Sequence, residues 1–205
     1  ALVVLRGFGE KKGDVLNGYR LGRWPSERWM MGRKYWNPDG FIEVTRENQD
    51  LYVSEHFRLS DFLTHDQQDV WPKYLVLRED LVDKLELVID DLTAHGIRVE
   101  RMVVMSGFRT PQYNARGVAR GRARDSRHQF GDAADVFVDN DGNGRMDDPY
   151  TSLNRPFPPE GVLQGEFGCV NIAQFPGVNC QFFPVPALTV YTEPYLRTPY
   201  THSMN

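Results

Sequence analysis

His128 and Asp135 stand seven residues apart in Ser126-Arg127-His128-Gln129-Phe130-Gly131-Asp132-Ala133-Ala134-Asp135. An imidazole and a carboxylate are good ligands for a borderline metal such as zinc, and Gly131 and the alanines let the chain turn tightly between them. Asp135 opens an apolar run ending Val136-Phe137-Val138. A carboxylate there is costly unless it is paired or holds a cation, which favours a ligand role. Arg109, in Ser106-Gly107-Phe108-Arg109-Thr110-Pro111, reads from its type alone as a surface salt-bridge partner. Ser126 reads from its type and position as a helix cap.

A second metal signal follows at once in Asp139-Asn140-Asp141-Gly142-Asn143-Gly144-Arg145-Met146-Asp147. Oxygen ligands at alternate positions and a glycine at the sixth reproduce the first part of an EF-hand calcium loop. The twelfth position is Tyr150 in place of a bidentate Glu, so Asp139, Asp141, Asn143 and Asp147 would make a weak calcium site. The alternative is a turn rich in Asn, Asp and Gly without metal.

These residues need elements to place them. Leu81, Val82, Leu85, Val88, Ile89 and Leu92 recur at helical spacing, and Gly96 follows as a stop, which predicts a helix from about Arg78 to His95. Its charged residues form a solvated face. His95 at its end meets the helix dipole and needs no metal, whereas His56 and His65 reach the site only if folding brings them there. Ser60 to Gln67 predicts a short helix. Strands are expected at Phe41–Thr45, at Ile97–Glu100 continuing through Met102–Met105, and at Ala134–Val138. The order helix, strand, loop, strand predicts an α+β domain. Residues 1–50 carry Trp24, Trp29, Tyr35 and Trp36 and read as an irregular region that packs by its aromatics, the alternative being a ligand groove.

The two motifs together resemble the zinc D-alanyl-D-alanine carboxypeptidases and endopeptidases of bacterial cell walls, the VanY-like group. The resemblance rests on Ser106-Gly107-Phe108-Arg109-Thr110-Pro111, on Tyr113-Asn114, and on the Ser-x-His-x-x-Gly-x-Ala-x-Asp pattern met by Ser126, His128, Gly131, Ala133 and Asp135. It extends from about Gly18 to Asp148. It implies a small antiparallel sheet with flanking helices, the fold shared with the hedgehog signalling domain. It also implies His128 and Asp135 as zinc ligands, Arg109 as the catalytic group on the carbonyl or oxyanion, Ser126 and Arg109 as binders of the substrate, and a peptidoglycan stem peptide as that substrate. The reaction would be amide hydrolysis by metal-activated water, outside the cytoplasm in an extracellular or periplasmic setting. The family's third ligand and catalytic base come from a later His-x-Asp or similar element, on a strand after the second motif. After Asp135 the chain has one histidine, His202, in Tyr200-Thr201-His202-Ser203-Met204. That segment does not reproduce the element, and His202 reads as a low-ranking third ligand or as a terminal residue. A non-catalytic cell-wall-binding or structural protein on the same scaffold is therefore the alternative.

Composition sets the boundaries. Of 205 residues, 24 are Lys or Arg and 28 are Asp or Glu, giving a net charge of -4. That balance argues against a general nucleic-acid binder, and the basic run Arg116 to Arg127 lacks interleaved aromatics. No apolar stretch is long enough for a transmembrane segment, and Ala1–Leu5 is too short for an intact signal peptide. Residues 149–205 hold only five of the charges, Arg155, Glu160, Glu166, Glu193 and Arg197, but nine of the 13 prolines. The chain thus reads as a region at 1–50, a peptidase-like part at 51–148 and a divergent tail at 149–205. Cys169 and Cys180 in that tail would allow a small disulfide loop or two free thiols; their spacing decides neither.

Overall fold

A computed structural model describes residues 3–27 and 36–145, with the backbone of four short strands between 162 and 192. The fold is mixed α+β, made of small antiparallel sheets and few helices.

The first sheet joins the start of the chain to its middle. Strand β1 (Val4–Gly7) pairs with a later strand at Gly40–Val44, which in turn pairs with one at Lys73–Leu75; between β1 and these lies a hairpin of β2 (Val15–Leu16) and β3 (Tyr19–Arg20). In chain order the two later strands are β4 and β5, and every pair in this sheet is antiparallel. The aromatic-rich start of the chain does pack by its rings. Trp24 is fully buried, 5.4 Å from Phe8 and 5.6 Å from Phe41 between ring centroids, and Phe41 meets Tyr74 edge-on. Trp36 is exposed, and Trp29 and Tyr35 lie outside the described residues.

Helix α1 spans Glu79–Ala94, and the six residues of the periodic stripe are all buried. Glu79 and Asp80 open it, where negative charge is favoured by the dipole. It closes as expected: Gly96 takes a left-handed φ of 76° and the Ile97 N–H reaches back to the Leu92 carbonyl at 2.9 Å.

Strand β6 (Met102–Ser106), a short helix α2 (Pro111–Ala115) and strand β7 (Ala133–Val138) follow. Two antiparallel pairs come last, β8 (Val162–Leu163) with β9 (Cys169–Val170), and β10 (Val178–Phe182) with β11 (Leu188–Thr192). The second sheet runs β10-β11-β7-β6, placing β7 between neighbours on both sides. Every residue of β7 is buried. One buried cluster extends from Leu16 in β2 to Val138 in β7, so the two sheets and α1 share a core.

Two expected elements are absent for identifiable reasons. Ser60–Gln67 is not a helix but a 3-10 turn at Leu59–Phe62. The Thr64 hydroxyl donates to the Phe108 carbonyl at 2.9 Å and accepts from the Thr110 N–H, while Gln67 turns left-handed at φ 53°. These tertiary bonds take the polar groups that a helix would have solvated. Ile97–Glu100 is not a strand because β7 stops at Val138. Asn140 stands in for the missing partner, its side chain accepting from the Glu100 N–H and donating to the Arg98 carbonyl, both at 2.8 Å.

Candidate functional site

The sheet brings the two motifs together. The register places Ser106, at the end of β6, across from Asp135 on β7, with an irregularity between Val104 and Ser106 that redirects the strand as it leaves the sheet. The chain then passes Gly107 and Phe108 to Arg109. A methyl group on Gly107 would come within 2.7 Å of the Phe62 Cα, and the Phe108 N–H bonds the Phe62 carbonyl at 2.9 Å. Glycine is required there because two backbones touch. Thr110 then caps α2, accepting from the Tyr113 N–H, with Pro111 in the first helical turn.

His128 sits in a 3-10 turn, Arg127–Phe130, that ends on Gly131 at φ 67°. Three backbone carbonyls or amides of this turn are held from outside. The Arg109 N–H donates to the His128 carbonyl at 3.1 Å, the Trp24 indole N–H to the Gln129 carbonyl at 2.8 Å, and the Arg78 N–H to the Gly131 carbonyl at 3.0 Å. The second of these ties the aromatic N-terminal region to the site. Asn114, fully buried, closes the intervening loop by donating to the carbonyls of Ala123 and Arg124. Trp24 was legible as a packing aromatic, but its bond to Gln129 was not, because that contact spans more than a hundred positions.

The side chains form a compact polar centre. The His128 Nδ1–H donates to the Gly107 carbonyl at 2.7 Å, so that in the neutral ring Nε2 is the lone-pair nitrogen; Nε2 lies 3.5 Å from Asp135 Oδ1. The Arg109 guanidinium binds the other oxygen, Oδ2, and its Nε–H donates to the Ser106 hydroxyl at 2.8 Å. His128 and Asp135 are each 5% exposed. Burial pulls the Arg109 guanidinium below its ordinary value, opposed by the Asp135 charge. A buried carboxylate needs such a partner, so Arg109 is not the surface ion pair that its type alone suggested.

Asp132, fully buried, accepts from Arg127 at 3.0 Å. Burial raises its pKa above the ordinary aspartate value although Arg127 works the other way. Ser126 occupies the position before the turn and is buried, but its hydroxyl makes no capping bond.

The other described histidines have partners of their own. His56 Nδ1 lies 2.6 Å from Glu86 and His65 Nε2 lies 2.9 Å from the Met105 carbonyl. His95 caps α1, with Nδ1 2.8 Å from the Asp91 carbonyl. Among the described residues no group of three His, Cys, Asp or Glu is placed to share one metal. His202 and Asp147 lie outside the described residues, as do the side chains of Cys169 and Cys180. On the side of β7 away from β6 the register sets Thr189 of β11 opposite Asp135, and β11 reads Leu-Thr-Val-Tyr-Thr. A cleft of about 410 Å³ between Leu5, Gly40, Leu77 and Arg78 touches the site's turn only through Phe130, and neither His128, Asp135 nor Arg109 lines it.

Comparison with known proteins adds no relative: no protein-family model, no curated protein and no solved structure matches the chain. Among the described residues no helix is long and apolar enough to cross a membrane.

Proposed function

We propose that this chain is a zinc-dependent peptidase domain of the hedgehog and D-alanyl-D-alanine peptidase fold, acting on the stem peptides of peptidoglycan outside the cytoplasm. The observation that supports it best is the His128–Asp135 pair. A zinc ion with Zn–N and Zn–O bonds of about 2.0 to 2.2 Å and a tetrahedral angle separates two ligand atoms by about 3.3 to 3.5 Å. Nε2 of His128 and Oδ1 of Asp135 lie 3.5 Å apart. The Gly107 carbonyl fixes the ring tautomer that keeps Nε2 available, the arrangement that metal-bound histidines commonly use. These two residues would hold the metal. When bound, zinc supplies a Lewis acid and lowers the pKa of water.

The chain's own residues do the rest. Arg109 orients the Asp135 carboxylate and sets a positive charge beside it, where a substrate carbonyl gaining negative charge would be stabilised. Ser106 keeps that guanidinium in its plane through the Nε bond. Ser126, two residues before His128, is the candidate to bind the peptide terminus.

A second reading has its own support. Arg109 already compensates the buried Asp135 charge, and β11 carries no His, Asp, Glu or Cys beside it. A cell-wall-binding protein that keeps the scaffold without hydrolysis would look the same at these residues.

The decisive experiment pairs zinc analysis of the purified chain and of His128→Ala with incubation on purified peptidoglycan. Near-stoichiometric zinc that falls in the variant, together with release of D-alanine or cleaved stem peptides that stops with chelator, supports the peptidase. Sub-stoichiometric zinc unchanged by the substitution removes the metal site, and zinc without product selects the binding reading.

A further inference from the structure

The loop that joins the two motifs has a charge opposite to that of the chain. Residues 116–127 hold Arg116, Arg120, Arg122, Arg124 and Arg127 against Asp125, a net +4 in a chain whose total is -4, so the remaining residues sum to -8. A local excess of that size on an otherwise negative protein draws anionic ligands to one place and repels them elsewhere.

The fold treats these arginines differently from several others. Arg6, Arg23, Arg58, Arg98 and Arg101 each form an ion pair with an Asp or Glu. Within the loop, Arg127 is committed to Asp132, and Arg116 lies 3.5 Å from Asp66 with 57% of its side chain still exposed. Arg120 and Arg124 are exposed, and their side chains have no hydrogen bond or ion pair among the described residues. Arg122 lies over the Tyr113 ring, 4.7 Å from its centroid, and donates to the Tyr113 carbonyl at 3.3 Å.

The backbone beneath these charges is held in place. Gly121 turns the chain at φ 98°, and the Arg122 N–H bonds the Gly117 carbonyl at 3.1 Å. A methyl group on Gly117 would come within 2.1 Å of the Arg122 Cδ, so that side chain lies against bare backbone. The Arg124 carbonyl accepts from the Asn114 amide at 3.2 Å and from the Gln129 amide at 2.9 Å. Gln129 follows His128 in the 3-10 turn, so these bonds seat the basic loop beside the turn that carries the centre. Arg109 is held below its ordinary pKa first by burial, and the Arg122 charge adds to that lowering. The positive field of the loop therefore reaches the guanidinium at the centre.

We infer that residues 116–124 form a docking surface for the carboxylates of peptidoglycan, with Arg120 and Arg124 as its contacts to the polymer. This deepens the stem-peptide reading and rests on it for the identity of the polymer. A stem peptide ends in a free carboxylate, so a polymer bearing many of them is a polyanion, and guanidinium groups bind carboxylates through paired N–H donors. The loop has no aromatic residue between Arg116 and Arg127, so it lacks the stacking platforms that single-stranded nucleic acid uses.

Cosedimentation with purified peptidoglycan freed of phosphate polymers tests this. The parent is expected to bind at about 20 mM salt and at least about fivefold more weakly at about 200 mM. Arg120→Gln combined with Arg124→Gln should weaken the low-salt binding at least about tenfold. Arg23→Gln combined with Arg98→Gln removes the same charge from exposed arginines elsewhere and should change it less than about twofold. Amidation of the polymer's carboxyl groups should abolish binding. No salt-sensitive binding by the parent, equal losses in the two double variants, or undiminished binding to the amidated polymer would each overturn the surface. Tighter retention on single-stranded DNA than on peptidoglycan would overturn the choice of partner. The assay reads neither zinc nor product, so a failed metal site leaves this result standing, and a failed docking surface leaves the metal site standing.

Discussion

Gly131→Ala should be among the most damaging single-methyl changes in the chain, and its cost can be built from two separable parts. The first is conformational, since Gly131 has φ 67° and a left-handed alanine costs about 1 to 2 kcal/mol. The second is steric. The added Cβ would lie 2.3 Å from the Val76 carbonyl oxygen and 2.7 Å from the Leu77 nitrogen, both backbone atoms that no rotamer change can move. Relief requires the turn to shift away from Val76, stretching the 3.0 Å bond between Arg78 N–H and the Gly131 carbonyl. Overpacking of this kind costs about 1 to 3 kcal/mol, and the weakened bond about 1 kcal/mol more. The total, about 3 to 6 kcal/mol, is a large part of an ordinary domain's stability. Gly121→Ala is the matched control, because Gly121 also has positive φ, 98°, but nothing lies within 4 Å of its would-be Cβ. Urea denaturation followed by tryptophan fluorescence should place Gly131→Ala at least about 2 kcal/mol below Gly121→Ala. Equal losses in the two variants would refute the packing argument and leave only the backbone conformation.

Two further outcomes follow from the supports of the same turn. Trp24→Phe keeps a ring in the aromatic cluster but removes the 2.8 Å bond to Gln129, leaving a buried carbonyl unpaired. A loss of about 1 to 3 kcal/mol in urea denaturation is expected, and a loss under about 0.5 kcal/mol would show the bond to be dispensable. Asp132 has a folded-state pKa raised above its unfolded value by burial, so the folded chain holds its proton more tightly. Its contribution is therefore fully present below the ordinary aspartate pKa and is lost as pH rises through the folded-state value. The stability of the parent relative to Asp132→Asn should accordingly decrease as pH is raised from about 3.5 towards neutrality. A urea-midpoint series in which that difference is flat or grows with pH would reverse the assignment.

Local patterns carried much of what could be read from the residues alone. The apolar stripe of α1 and its glycine stop are short-range facts of helical geometry, and all six predicted core residues are buried. The strand at Ala133–Val138 was legible for the same reason, one residue longer than expected. The segment Ser60–Gln67 misled because its polar residues find partners at Phe108 and Thr110, more than 40 positions away. Ile97–Glu100 misled because a strand needs a neighbour, which β7 ends too early to provide.

The same division runs through the site. Residue type and order alone determined that an imidazole, a carboxylate and a guanidinium belong to two linked motifs, and that Asp139, Asp141 and Asn143 alternate in a glycine-containing loop. Which atoms face one another was settled by the tertiary structure. Only the β6–β7 register brings Asp135 to Ser106, only the Gly107 carbonyl selects the His128 nitrogen left open, and only the folded chain buries one oxygen of Asp139 without a hydrogen-bond partner. Chemical capacity is a property of a residue's type and near neighbours, whereas tautomer, burial and pairing depend on groups that distant parts of the chain supply.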